Sequence, residues 1–178
     1  MRRRLFGRNQ KGFTLIELLV VIPIVAVVVA GATGGLIQVL HSKDASARMV
    51  AMRQVQTAGY WVSTDGLQAE GVTLTANNFP LTLVWTDPQN DEMHTVTYTV
   101  TGLSGNQKLE RHAVVVDIST GATISDTTIT VASQLTQATC QQQVSAEGQV
   151  SLIFFAEATV GQETESRTYD IKPRSLSF

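Results

Sequence analysis

One carboxylate stands in an otherwise apolar stretch near the N-terminus. Between Gly12 and Ser42 the only formally charged side chain is that of Glu17. A carboxylate driven to the centre of a membrane-spanning helix costs about 2.5–3.5 kcal/mol, so it needs a partner. Phe13 lies four residues before Glu17, on the same face of a helix. The spacing indicates that a charge partner for Glu17 would lie on this face of the helix, near Phe13.

Groups that usually perform catalysis are sparse in this chain. We expect His41 at a membrane exit and both His94 and His112 as surface residues of strands. The sequence has no serine-hydrolase elbow, no zinc-protease histidine motif, no Cys-x-x-Cys pair and no phosphate-binding glycine loop. Cys140 is the single cysteine, so it forms no intrachain disulfide, and we expect it to behave as a small buried hydrophobe. We therefore predict that the chain is not an enzyme; the alternative is a membrane-anchored hydrolase.

A polar loop offers oxygen ligands at Asp87, Asn90, Asp91 and Glu92. Their spacing does not match a calcium-binding EF-hand, because no glycine occupies the required turn position. We interpret the loop as a solvated acidic turn and predict no metal and no cofactor.

The elements around Glu17 have the pattern of a membrane segment. A basic cluster comes first and contains Arg2, Arg3, Arg4, Arg8 and Lys11, with no acid among residues 1–12. The apolar run Leu18–Leu40 would extend about 34 Å as a helix, enough for a hydrocarbon core of about 30 Å. The cluster predicts a single span with a cytoplasmic N-terminus and the rest of the chain outside. Residues 13–178 carry 8 basic and 15 acidic residues, so we expect no nucleic-acid partner.

The stretch from Lys11 to Ile22 reads KGFTLIELLVVI. It resembles the signal of the type IV prepilin-like family, with a basic leader, Gly12 before the cut and Phe13 as first mature residue. The resemblance implies cleavage between Gly12 and Phe13 by a prepilin peptidase that also N-methylates Phe13. It further implies that Glu17 pairs with the N-terminal amine of an adjacent subunit and sets axial register. An ordinary secretory signal cut after Ala30-Gly31-Ala32 is the alternative.

Three further residues shape the predicted membrane helix. Pro23 cannot donate to the Leu19 carbonyl, so we expect a kink there, earlier than in many family members. Gly31 and Gly35 form a Gly-x-x-x-Gly pattern that permits close packing of helices. The alternative is a stretch of small residues without a specific partner.

The residues after the span show two successive periodicities, one typical of a helix and one typical of strands. Small and apolar residues recur at helical spacing from Ala51 to Ala69, which predicts an amphipathic extension of the helix despite Gly59 and Gly66. Beyond Gly71 a period of two predicts five antiparallel strands. We expect Ile153, Phe154 and Phe155 in a central strand covered on both faces. Thr127–Gln143 is compatible with a strand and loop or with a short helix.

These elements predict a pilin-like α+β fold, a long N-terminal helix whose outer half packs on an antiparallel sheet. We divide the chain into a leader at 1–12, a transmembrane and assembly helix at 13–42, an amphipathic extension at 43–70 and a sheet domain at 71–178. Residues 53–65 and 165–174 look similar to minor pseudopilins of the J type in type II secretion, or to W-type minor pilins.

The resemblance implies a structural subunit held in the bacterial inner membrane and incorporated into a pilus or pseudopilus. Its implied partners are other pilin or pseudopilin subunits, prepilin peptidase, the inner-membrane assembly platform and membrane lipid. Two alternatives stay open, a secreted soluble β-protein and a binding module at a pilus tip for adhesion or DNA uptake. An exposed aromatic or basic cluster around Trp85, Tyr98 and Arg111 would favour the tip module.

Overall fold

The structure, a computed structural model, describes residues 14–76, 78–144 and 150–174. It contains one α-helix followed by seven β-strands. In chain order the elements are α1 (Leu15–Gln68), β1 (Gly71–Thr75), β2 (Asn78–Asp87), β3 (Glu92–Leu103), β4 (Asn106–Asp117), β5 (Thr123–Val144), β6 (Val150–Val160) and β7 (Glu163–Ile171). The described residues fall into two compact units, one ending at Lys43 and the other beginning at Asp44.

All seven strands belong to one antiparallel sheet in the order β1-β2-β3-β4-β5-β6-β7. Each strand therefore pairs with its neighbours in sequence, and short connections are sufficient to join them. The β3–β4 turn needs glycine at Gly102, where φ is +100° and an added Cβ would lie 2.7 Å from the Asn106 carbonyl oxygen. The outer part of α1 packs on this sheet, and the predicted α+β, pilin-like fold is confirmed.

Strand β5 is shared between two parts of the sheet. Its residues up to Leu135 pair with β4, and those from Leu135 onward pair with β6. The exchange coincides with register shifts and with Gln134 in the left-handed region, at φ +60°. A bulge of this kind bends a strand and increases its twist. Further along, the Cys140 amide donates to Asn78 Oδ1 at 3.2 Å, so the curled sheet brings β5 back to β2.

The core of the second unit lies between α1 and one face of the sheet. Its helical side consists of the predicted stripe: Ala51, Val55, Ala58, Val62 and Ala69. Its sheet side includes Leu81, Leu83, Leu109, Leu152 and Phe154. Alternate strand residues point to the same face, which explains why the period of two predicted the β2–β3 hairpin correctly.

The structure differs from the strands predicted from the sequence in three details. Thr127–Gln143 lies within β5 and is neither loop nor helix. Strand β1 was not predicted, because it is short and has no fully buried residue. Strand β6 is next to the last in the sheet, and only alternate residues such as Leu152 and Phe154 are buried. The prediction of a central strand covered on both faces was therefore wrong; Ile153 and Phe155 are half-buried on the other face.

Candidate assembly helix and its anchor on the sheet

Helix α1 begins with a side-chain cap. Thr14 precedes the first helical residue, and its Oγ1 accepts a hydrogen bond from the Glu17 amide at 3.4 Å. The Thr14 hydroxyl in turn lies 3.5 Å from Glu17 Oε2, close enough to donate a long hydrogen bond. Thr and Glu three residues apart are the residue types of a capping box, and an acid in the first turn suits the helix dipole. The local sequence thus starts the helix and holds the Glu17 side chain at its beginning.

The first part of α1 has an exposed apolar surface. Every residue from Leu15 to Leu36 is exposed, including Leu15 at 83% and Val27 at 72%. The helix is long and apolar enough to cross a membrane. Apolar surface of this extent requires lipid or other helices as cover, because a soluble monomer rarely exposes so much of it.

The predicted processing residues Gly12 and Phe13 lie outside the described residues. Glu17 is exposed at the start of the helix. Helical structure continues through Pro23, so the kink expected there stays a prediction. A Cβ added at Gly31 or Gly35 would meet no heavy atom within 4 Å, so this small surface has room for a neighbour. Its role in helix packing is likewise a prediction.

The part of α1 beyond Asp44 lies close to the sheet at two glycines. An added Cβ at Gly59 would lie 1.9 Å from Cζ of Tyr169, and one at Gly66 would lie 2.7 Å from Cγ2 of Ile171. The Tyr169 hydroxyl donates to the Val55 carbonyl at 3.2 Å. The two glycines that weaken the helical pattern therefore permit β7 to pack directly against the helix backbone.

A buried ion pair fixes the end of the helix to the centre of the sheet. Asp65 is 4% exposed and accepts hydrogen bonds from Arg111 Nε at 2.7 Å and Nη2 at 3.1 Å. The Tyr98 hydroxyl also donates to Asp65. The Arg111 guanidinium lies over the Trp61 ring, 5.0 Å from its centroid. The helix contributes an acid and an aromatic ring, and β3 and β4 contribute the tyrosine and the arginine.

The environment of this ion pair shifts two pKa values upward. Burial, reinforced by the negative charge of Asp65, raises the pKa of Tyr98 well above its usual range. Burial lowers the pKa of Arg111, but the hydrogen bonds and charge of Asp65 outweigh it and the net shift is upward. Tyr98 therefore stays a neutral donor and Arg111 a cation at physiological pH. Such a charged group is buried without excessive cost because its hydrogen bonds are made within the network.

This ion pair was not predicted from the sequence, although the sequence contains one signal for it. Asp65 follows Val62 by three residues and precedes Ala69 by four, so it falls on the buried stripe of the helix. An acid at such a position requires a buried partner. The partner could not be chosen from the sequence, because Arg111 is 46 residues away.

The residues that would have favoured a tip receptor do not form an exposed cluster. Tyr98 is fully buried and Trp85 is 8% exposed. Arg111 is held by Asp65 and Trp61. Cys140 is fully buried, as expected, and burial raises the pKa of its thiol to about 12.

The histidines occupy three different environments. His41 is exposed, in the first unit. His112 is exposed on β4, and its Nε2 lies 2.8 Å from Asp126 Oδ1. His94 differs from the expected surface position, because its ring is half-buried and stacks on Trp85.

Residues 7–33 match the model of the prokaryotic N-terminal methylation motif. This match supports a place for the chain among the type IV prepilin-like proteins. It spans the start of α1, including Thr14 and Glu17, and continues to Thr33. No curated protein and no solved structure matches the chain significantly. The motif thus indicates a pilin-like structural subunit that prepilin peptidase processes and that assembles with other pilin subunits.

Proposed function

We propose that this chain is a minor pseudopilin or minor pilin, a structural subunit of a type II secretion or type IV pilus assembly. The observation that carries the proposal is the methylation motif, which covers the start of a helix with an exposed apolar surface. A subunit that polymerises through its N-terminal helix requires such a surface. The buried ion pair and the glycine contacts on β7 give the second unit a helix held firmly on its sheet.

The proposed processing site is the bond between Gly12 and Phe13, with N-methylation of Phe13. Glycine before the cut leaves the backbone accessible to a protease at the membrane surface. The basic leader holds this bond at the cytoplasmic side, and the sheet domain lies outside the inner membrane. The new amine of Phe13 is then available to Glu17 of an adjacent subunit.

Assembly in this proposal uses the first part of α1. Glu17 fixes the axial position of each subunit by its charge, whereas Gly31 and Gly35 permit a close approach of a neighbouring helix. An early break at Pro23 is tolerable when neighbouring helices satisfy the free backbone carbonyl. The further partners are the inner-membrane assembly platform and lipid.

Two features support a minor subunit in preference to a major one. The sheet domain lacks the pair of cysteines that closes a C-terminal loop in many major pilins, since the chain has a single cysteine. Residues 53–65 and 165–174, which look similar to the J-type and W-type minor subunits, include parts of α1 and β7 that pack together.

The decisive experiment is mass spectrometry and N-terminal sequencing of the protein from membranes of its native host. We expect a chain that begins at N-methylated Phe13. Gly12→Val should block processing, whereas the matched variant Gly7→Val within the leader should be processed normally. A chain that begins at Thr33 would establish ordinary signal cleavage, remove the assembly helix and overturn the proposal.

A further inference from the structure

The turn end of the β2–β3 hairpin brings two acids and a histidine to one face of the sheet. Asp87 lies opposite Glu92 in the ladder, and Trp85 lies opposite His94. These four positions share a face because alternate residues of a strand point the same way. They lie on the side of Leu81 and Leu83, which is the side of the core. The cluster is far in sequence from the methylation motif and has no part in the function proposed above.

The distances within this cluster suit a single metal ion. One donor atom from each of Asp87, Glu92 and His94 can be chosen so that all three lie within 4.8 Å of one another. His94 Nε2 and Glu92 Oε2 are 3.4 Å apart. Ligands about 2.1 Å from a tetrahedral zinc ion lie roughly 3.4 Å from each other, so these two atoms already have the required separation.

Neighbouring groups orient two of the three ligands. The His94 ring stacks on Trp85 with 2° between the planes and 5.1 Å between the centroids. Asp87 Oδ1 accepts from the Gln89 amide at 3.0 Å, and its Oδ2 accepts from the Asn90 side chain at 2.9 Å. Groups that fix the orientation of ligands in this way strengthen metal sites. All three ligands are half-buried, so an ion can reach them from solvent.

The charge pattern of the three strand ends also favours a cation. Asp87 pairs with Glu92, and Glu92 pairs with Asp117 on its other side. Three acids in a row across β2, β3 and β4 repel one another, because like charges directly opposite in a sheet are destabilising. Asp117 accepts hydrogen bonds from Ser119 and Thr120, whereas Asp87 and Glu92 share a cluster of possible ligand atoms with His94. A divalent ion between them would relieve the repulsion.

We propose that Asp87, Glu92 and His94 bind one divalent transition-metal ion of the zinc class. The imidazole nitrogen favours zinc over calcium or magnesium, which prefer oxygen ligands alone. Three protein ligands leave a fourth position for water or for a donor from another molecule. The site differs from a calcium-binding loop with oxygen ligands alone, since it uses His94 and omits Asn90 and Asp91.

The test is a titration of the untagged, detergent-solubilised full chain with Zn²⁺ alone, in competition with a chromogenic chelator. We expect one tight site per chain. His94→Gln and Asp87→Asn should each weaken it at least tenfold. The matched control is His112→Gln, which removes a histidine paired with one acid, Asp126, and should leave the affinity unchanged. With Co²⁺, the wild type should show the strong visible absorption of a four-coordinate ion, and His94→Gln should lose it.

Two outcomes would overturn the proposal. One is an affinity that is the same in the wild type and in both site variants. The other is an equal loss in His112→Gln, which would mean nonspecific binding to surface histidines. Thermal unfolding followed by far-ultraviolet circular dichroism checks the folding of each variant, because tryptophan fluorescence would also respond to the loss of the His94 ring from Trp85. Asp87→Asn decides the question if His94→Gln does not fold.

Discussion

Asp65 shows how one residue connects helix and sheet. Its carboxylate is shared by a tyrosine from β3 and an arginine from β4. A buried ion pair contributes little net stability compared with well-packed apolar residues, but removal of one partner leaves a buried charge without compensation. The pair therefore favours one position of the helix, because any shift of α1 along the sheet separates Asp65 from Arg111.

We expect Asp65→Asn to reduce the free energy of unfolding by about 3 kcal/mol, because Arg111 would keep its charge in a half-buried position without an acid. Urea denaturation followed by tryptophan fluorescence measures the change. Asp126→Asn is the matched control, since Asp126 pairs with His112 at the surface and should cost less than about 0.5 kcal/mol. Equal stability of Asp65→Asn and wild type would contradict a structural role for the ion pair.

At the scale of elements, the contact between α1 and β7 depends on the absence of a side chain at Gly59 of the helix. Gly59 leaves space for the Tyr169 ring, which also stacks on Phe154 with 6.0 Å between centroids. The hydroxyl of the same ring is bound to the Val55 carbonyl. The ring is thus held on two sides and has little freedom to move away from an added methyl group.

Gly59→Ala should be destabilising by about 1–3 kcal/mol, because the new methyl group overlaps the Tyr169 ring. Alanine also improves helix propensity by about 1 kcal/mol, so the steric cost must exceed this gain. A double-mutant cycle with Tyr169→Ala separates the two effects. With the ring removed, Gly59→Ala should become neutral or stabilising in urea denaturation. An unchanged cost in the Tyr169→Ala background would show that the ring is not the cause.

The elements that could be predicted from the sequence are those with a clear period. The stripe from Ala51 to Ala69 and the β2–β3 hairpin have such periods, and both are confirmed. Strand β5 could not be assigned, because its Thr-rich first half is exposed and lacks alternation. Its change of partners at Leu135 also depends on pairing with distant strands, which no local pattern encodes.

The methylation motif could be predicted from the sequence, whereas the side-chain contacts between helix and strands could not. The methylation motif is local, so the family model and the sequence reach the same interpretation. The groups that depend on strand register were not predictable. Arg111 finds Asp65, and His94 approaches Asp87, only because the register of β2, β3 and β4 places them together. Register is determined by the whole hydrophobic pattern and the turns, so single residues do not reveal it.

The whole molecule combines two units with opposite solvent requirements. The unit from Asp44 onward buries its apolar stripe within its own core. The described residues before it bury none of their apolar side chains up to Leu36. The first unit therefore needs cover from outside itself, which lipid and other subunits would supply in the proposed function, whereas the second unit has a core of its own. Changes near Glu17 should consequently alter assembly and leave the folding of the sheet domain unaffected.

Glu17→Val is the substitution that tests this separation. Processing at Phe13 should continue, because the residues on both sides of the cut are unchanged. Co-purification of the variant with partner subunits from native membranes should fall at least about tenfold, equivalent to about 1.4 kcal/mol of lost pairing between Glu17 and a neighbour's amine. N-terminal sequencing and quantitative mass spectrometry of crosslinked partners measure the two effects separately.

Thr14→Ala is the control, because Thr14 caps the helix and contacts Glu17 without carrying charge. If the carboxylate acts on a neighbouring subunit, Thr14→Ala should assemble nearly as well as wild type, and Glu17→Asp should retain part of the function. If Glu17 acts only through the cap, Thr14→Ala and Glu17→Val should be equally defective, at a cost of about 1 kcal/mol each. Normal co-assembly of Glu17→Val would remove the argument that this carboxylate sets the register of subunits.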